Sequence, residues 1–262
     1  MKQWLQGCLL FVLMTLCIQP LAAQPGNPEA QIKFQQATRS LSRNENAKAL
    51  QEFQEALKIN PKMAGAWRGL GIALGRMGRW ADAAQAQARA TALEPRYAPG
   101  WVLRGWAEHR SGNHPVAVQW LQQALRLDPK NVEAHNALGV VYLFLNQPHN
   151  AEASTRTVLK LDPKNGTAWY NLGLSLDRQG RYAEAITAQA QAQKWEPNNP
   201  HPLLAQAVSY LAQNQISQAR AVFQRAIALD PWYGQAAGLD DLVRAGFSTT
   251  QVARLKKLLE RP

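Results

Sequence analysis

Small residues, turn residues and prolines return along this chain at a fixed interval of 34 positions, and between them apolar and polar side chains alternate with helical spacing. Pro61, Pro95, Pro129, Pro163, Pro197 and Pro231 share one phase. Ala49, Ala83, Ala117, Ala151, Ala185 and Ala219 share a second, and Ala37, Gly71, Gly105, Gly139, Gly173 and Ala207 a third. Ala56, Ala90, Ala124, Val158, Ala192 and Ala226 make a fourth. The second and fourth series lie two helical turns apart, so they share one helix face and let a neighbouring helix come close. Asn44, Gly78, Gly112, Asn146, Gly180 and Asn214 fall between the small series, and these residue types tolerate the left-handed geometry that ends a helix. Each proline lacks an N–H and pushes the residue before it out of helical geometry, so the helix before it must stop. The pattern therefore predicts antiparallel helix pairs, each unable to cover its own apolar face until stacked on the next.

These units resemble the tetratricopeptide repeat family. Residues 166–199 carry Trp169, Leu172, Gly173, Leu176, Gly180, Tyr182, Ala185, Ala192 and Pro197 where the family pattern has its own. Residues 64–97 match nearly as well, through Trp67, Leu70, Gly71, Leu74, Gly78, Trp80, Ala83, Ala90 and Pro95. Residues 98–131 depart at Arg104, where an apolar side chain is usual, and at Glu108. Residues 132–165 have His135 in place of the first aromatic and Pro148 where an aromatic usually packs. The first unit, 30–63, is degenerate in its first helix. With 200–233 the resemblance implies an all-α, α-α superhelix, a solenoid of about six helix-turn-helix repeats. Beyond Tyr233, Leu239, Leu242 and Val243 have helical spacing up to Gly246, and Ser248 followed by Gln251 looks like a capping box. Val252, Leu255, Leu258 and Leu259 then share a face, so 234–262 reads as two helices capping the stack, with a separate small binding module as the alternative.

The resemblance also implies where a partner sits. In this family the first helix of each repeat lines a concave groove. One groove position per repeat holds Thr38, Ile72, Trp106, Val140, Leu174 and Val208, and another Phe34, Arg68, Val102, Asn136, Tyr170 and Leu204. A third holds Ser42, Arg76, Arg110, Phe144, Arg178 and Ala212. The expected partner-binding set is Arg68, Ile72, Arg76, Val102, Trp106, Arg110, Asn136, Val140, Tyr170, Leu174 and Arg178. Apolar side chains would anchor a protein or peptide segment, and arginines would grip its carboxylates or carbonyls. Trp106 with Arg110 is the favoured pair. Trp67, Trp80, Trp101 and Trp169 occupy positions where the family packs its core. Some relatives hold a chaperone's terminal carboxylate with paired Lys and Asn. The comparable positions here are Arg68 with Ile72 and Val102 with Trp106, so that clamp is absent.

Composition narrows the function. The 262 residues are 46% hydrophobic and 18% charged, which suits a folded chain. The two cysteines exclude a disulfide scaffold and a cysteine-built zinc site. Both lie at the start, where Lys2 precedes an apolar run from Cys8 to Ile18, then Pro20 and Leu21-Ala22-Ala23. That order reads as a secretory signal over 1–23, with an uncleaved anchor as the alternative, followed by a flexible lead over 24–29. The expected location is outside the cytoplasm, periplasmic or secreted. His109, His114, His135, His149 and His201 are scattered, with no two four residues apart on one helix face, so no metal and no cofactor is expected. Gly69, Gly71 and Gly75 follow no strand and are not a phosphate loop. Asp240-Asp241 reads as a solvated or capping pair, and Asn165-Gly166-Thr167 fits either a glycosylation acceptor, relevant only in a eukaryotic host, or a sharp turn between repeats. No catalytic constellation emerges, so an enzyme is not expected. The net charge of +11 is concentrated in the N-terminal half. Nucleic acid is not expected as a partner, because the basic residues form no compact run. The alternative to a groove-binding scaffold is an envelope assembly or anchoring factor, peripherally attached to anionic membrane or polymer through that basic half.

Overall fold

The computed structural model describes residues 27–260, and the segment read as an export signal lies outside them. Secondary structure among the described residues is helical throughout. Six helix pairs follow one another: α1 (Pro28–Ser42) with α2 (Asn46–Ile59), α3 (Ala64–Arg76) with α4 (Trp80–Leu93), and α5 (Ala98–Arg110) with α6 (His114–Leu127). Then come α7 (Val132–Phe144) with α8 (Pro148–Leu161), α9 (Gly166–Arg178) with α10 (Tyr182–Trp195), and α11 (His201–Ala212) with α12 (Ile216–Leu229). A 3-10 turn (Pro231–Gly234), the short α13 (Ala236–Asp240), a second 3-10 turn (Asp241–Ala245) and α14 (Thr249–Leu259) complete the chain. The described residues divide into two compact units, 27–137 and 138–260.

The repeated residues do what their chemistry dictates. Asn44, Gly78, Gly112, Asn146, Gly180 and Asn214 all have positive φ, so each pair turns through a left-handed residue. Every second helix from α2 to α12 ends two residues before its proline. The alanines at 49, 83, 117, 151, 185 and 219 are buried in the contact between helices. The first aromatic of a repeat fixes the turn before it. Trp67, Trp101 and Trp169 donate their indole N–H to the carbonyls of Pro61, Pro95 and Pro163 at 2.8–2.9 Å. A ring nitrogen of His135 reaches Pro129 O at 3.1 Å, so the histidine replaces the aromatic in this bond too. At Gly71 and Gly173 the missing side chain makes room for Gln87 and Gln189, whose amides donate to Arg68 O and Tyr170 O at 3.1 Å.

Two sequence expectations are corrected. Helix α1 starts at Pro28, inside the stretch read as a flexible lead, because Asn27 accepts from the Glu29 N–H at 3.0 Å and proline suits the first helical turn. The C-terminal segment forms its capping box at Ser248 and Gln251, but the stretch before it is broken into α13 and a 3-10 turn that ends at Gly246 (φ 93°).

Candidate functional site

First helices of successive pairs touch one another, α1 with α3 and α3 with α5 in the N-terminal unit, and α9 with α11 in the C-terminal unit. They share one face in each unit. The residues expected on it have distinct fates. In the N-terminal unit Arg68 is buried, paired with Glu94 and stacked over Tyr97 at 4.5 Å. Arg76 donates to Leu41 O at 2.6 Å and to Asn44 Oδ1 at 3.3 Å, closing the end of α1. Val102 and Asn136 are buried and Ile72 is half-buried. Trp106 is only 6% exposed, gives its indole N–H to Glu133 Oε1 at 2.9 Å, and packs edge-on to His109. Burial pushes the Glu133 carboxyl up, and that hydrogen bond works against the shift. Arg110 is exposed and lies 4.9 Å over the Trp80 ring.

In the C-terminal unit the chain's own tail covers the face. Val140 is half-buried, whereas Tyr170 and Leu174 are buried. Tyr170 donates its hydroxyl to Ala245 O at 2.8 Å. Arg178 donates to two carbonyls, Leu143 O and Gly246 O. Asp177 accepts from Ser209 Oγ and Gln251 Nε2, both at 2.7 Å, and stands 3.6 Å from Arg254. Leu239, Leu242, Phe247, Val252, Leu255 and Leu258 join the same core as Leu174, Leu204 and Val208. The arginine expected to grip a partner's carbonyl thus grips one of this chain's own. The tail leaves an open cleft of about 500 Å³ between itself and the ends of α7 and α9. Phe144, Tyr182 and Val243 give that cleft an apolar lining, and Arg178, Arg254, Thr249 and Thr250 its polar one. Arg254 also faces the Tyr182 ring at 5.7 Å.

Models of the family bear on the same residues. Two described as tetratricopeptide repeat match residues 136–200 and 176–239, and one described as TPR repeat matches 40–78 and 105–145. The chain belongs to the tetratricopeptide repeat family. No curated protein matches the sequence significantly. Among solved structures, the APC/C hetero-tetramer Cut9–Hcn1 aligns with a TM-score of 0.69 at 22% identity, over 89% of this chain and 44% of that one. This chain therefore spans less than half the length of that relative. Pseudomonas aeruginosa PilF gives 0.66 at 19% identity, over 78% of this chain and 93% of its own. YrrB, described as a TPR protein with an unusual peptide-binding site, gives 0.56 at 19%, over 78% and 97%. These likenesses fix the fold, a tetratricopeptide-repeat solenoid, a fold that generally serves as a non-enzymatic protein-interaction scaffold.

One departure from the tetratricopeptide pattern, Arg104, is resolved by packing. Arg104 lies 3.8 Å over the Trp120 ring and donates to Thr91 Oγ1 at 3.2 Å, while Trp101 and Trp120 stack at 5.4 Å. The aromatic pair thus gives the guanidinium a cation–π partner at a position where an apolar side chain is usual. His109 and His114 meet across the turn between α5 and α6, with their Nδ1 atoms 3.0 Å apart. Helix-face spacing missed this pair, since a tight turn, not a shared helix, joins the rings. Burial lowers the His109 pKa to about 3, so that ring is neutral, and no group of three metal-ligating side chains occurs among the described residues. Asp240 and Asp241 are not merely solvated: Lys256 lies 2.7 Å from the first, and Trp232 donates to the second at 3.2 Å.

Proposed function

We propose that this tetratricopeptide-repeat chain is a non-enzymatic scaffold, working outside the cytoplasm, that holds a segment of a protein partner on the face lined by its first helices. The cleft beside the C-terminal tail is the observation that carries the reading. Its volume suits a few side chains, its aromatic and apolar wall offers anchors, and Thr249 and Thr250 line its polar side, where their hydroxyls could bond a partner's backbone. Its walls rest on a packed core, so the ordering cost of binding falls mainly on the partner. The peptide-binding site described for YrrB is in keeping with this use of the fold. Export rests on the N-terminal sequence pattern alone.

A photo-crosslinking residue placed at Tyr182 or Val243 should capture a discrete partner from an envelope fraction. The same residue at exposed Gln224, on α12, should not. Equal capture at Gln224, or none at the cleft, would remove the reading. Recovery of the chain only from the cytoplasmic fraction would remove its location.

A further inference from the structure

In a helix pair the turn within the pair and the turn to the next pair lie at opposite ends. In the N-terminal unit the turns to the next pair are residues 60–63, 94–97 and 128–131, and the same turn position holds Lys62, Arg96 and Lys130, all exposed. The penultimate residues of α2 and α6 add Lys58 and Arg126, also exposed. None of these five lies within ion-pair distance of a carboxylate among the described residues.

Two of the carboxylates at this end are committed elsewhere, and a third, Glu29 in the first turn of α1, is exposed. Glu94 pairs with buried Arg68, and Asp128 accepts from the Lys130 N–H at 3.2 Å and from Asn131 at 3.1 Å. Between the cations stand the last residues of the second helices: half-buried Ile59, Leu93 at 39% exposure and Leu127 at 36%. The indoles of Trp67 and Trp101 pin the prolines of two of these turns. At the other end two cations pair locally, Lys48 with Glu45 at 3.5 Å and Arg79 with Asp82 at 2.6 Å, while Arg43 is exposed.

We infer that the edge of the N-terminal unit made by these three turns docks on an anionic phospholipid bilayer. Cations with no ion pair at contact distance match anionic headgroups. The exposed aliphatic ends among them favour a lipid surface over a polyanion, because only the bilayer offers an apolar layer just beneath its charge. Three turns in one phase present these groups together, and the tryptophan bonds hold two of the turns in shape. The edge is at the ends of the helices, apart from the inner face, so this attachment does not depend on the groove reading.

The test is sedimentation of the purified chain with phosphatidylcholine vesicles, with and without phosphatidylglycerol, at low and high salt. Phosphatidylglycerol should raise the bound fraction, and salt should reverse the rise. Lys62→Glu, Arg96→Glu and Lys130→Glu together should weaken the phosphatidylglycerol-dependent binding by at least about tenfold. Arg43→Glu, Lys48→Glu and Arg79→Glu, the same charge change at the other end, should weaken it much less. Leu93→Ser with Leu127→Ser should weaken vesicle binding while leaving any binding to soluble polyphosphate unchanged. Circular dichroism melting checks that each variant keeps its fold. No increment from phosphatidylglycerol, equal losses from both charge-reversed triples, or leucine variants that bind vesicles like the parent would each overturn the assignment.

Discussion

At the scale of the residue, a few side chains set how closely the helices nest. Gly173 is the clearest case. A methyl group added there would sit 2.8 Å from Gln189 Cγ, inside contact distance, and would drive that amide away from Tyr170 O. The Gln189 Oε1 is already buried without a partner, so the displaced side chain has nowhere polar to go. Gly173→Ala should therefore lower stability by about 1–3 kcal/mol despite its small volume, read from chemical denaturation. His201 makes a different point. It is buried, its Nε2 lies 2.8 Å from the Tyr233 hydroxyl, and burial lowers its pKa to about 4. The unfolded chain binds a proton near pH 6.5 and the folded one does not, so the stabilisation is present above 6.5 and falls as pH drops toward 4. The loss for this group should be about 1.4 kcal/mol per pH unit in that window, and His201→Gln should flatten this part of the stability–pH curve.

At the scale of the element, the C-terminal segment binds by a few directed bonds laid over a broad apolar contact. The Tyr170 hydroxyl and the Arg178 guanidinium hold the carbonyls of Ala245 and Gly246, just where the chain turns with positive φ into α14. Those two carbonyls close no helix of their own, so the side chains of α9 satisfy them. Tyr170→Phe removes one donor and leaves the Ala245 carbonyl short of it, at a cost of about 1 kcal/mol. Hydrogen exchange should rise across residues 241–251 and stay unchanged within α3 and α4. Uniform exchange across the chain would mean that the hydroxyl does not hold the segment. Six buried apolar side chains of the same segment, each stabilising by about 1.5–3 kcal/mol, make it a standing wall of the core and not a loosely held plug.

At the scale of the whole molecule, the tail changes a face that the repeat phase creates. The repeat phase places first helices side by side and leaves their inner face open by default. The tail fills that face in the C-terminal unit and converts it into a narrower cleft with new lining residues, Val243 and Arg254 among them. Deleting residues 236–262 should expose Leu174, Leu204 and Val208, lower the melting temperature and promote association at high concentration. Differential scanning calorimetry with light scattering would check both. A deletion that melts like the parent would mean that the tail adds nothing to the core.

Much of this architecture was legible in the sequence because its cause is local and repeated. Proline stops a helix, asparagine and glycine turn left-handed, and alanine lets two helices approach, whatever lies further along the chain. Six copies of each signal fixed the helix pairs, their ends and their order of stacking. The serine–glutamine capping box was legible for the same reason. The inner-face positions of Tyr170, Leu174 and Arg178 followed from phase, but their occupancy did not. Whether such a side chain meets a partner, solvent or the same chain depends on contacts across about 70 residues, and no period records these. The burial of Trp106 against Glu133, the seat of Arg104 on Trp120 and the meeting of His109 with His114 have the same origin. Local chemistry thus determined the scaffold, and only the tertiary structure decided which of its faces remain open, because burial is a property of everything that packs around a residue and not of the residue itself.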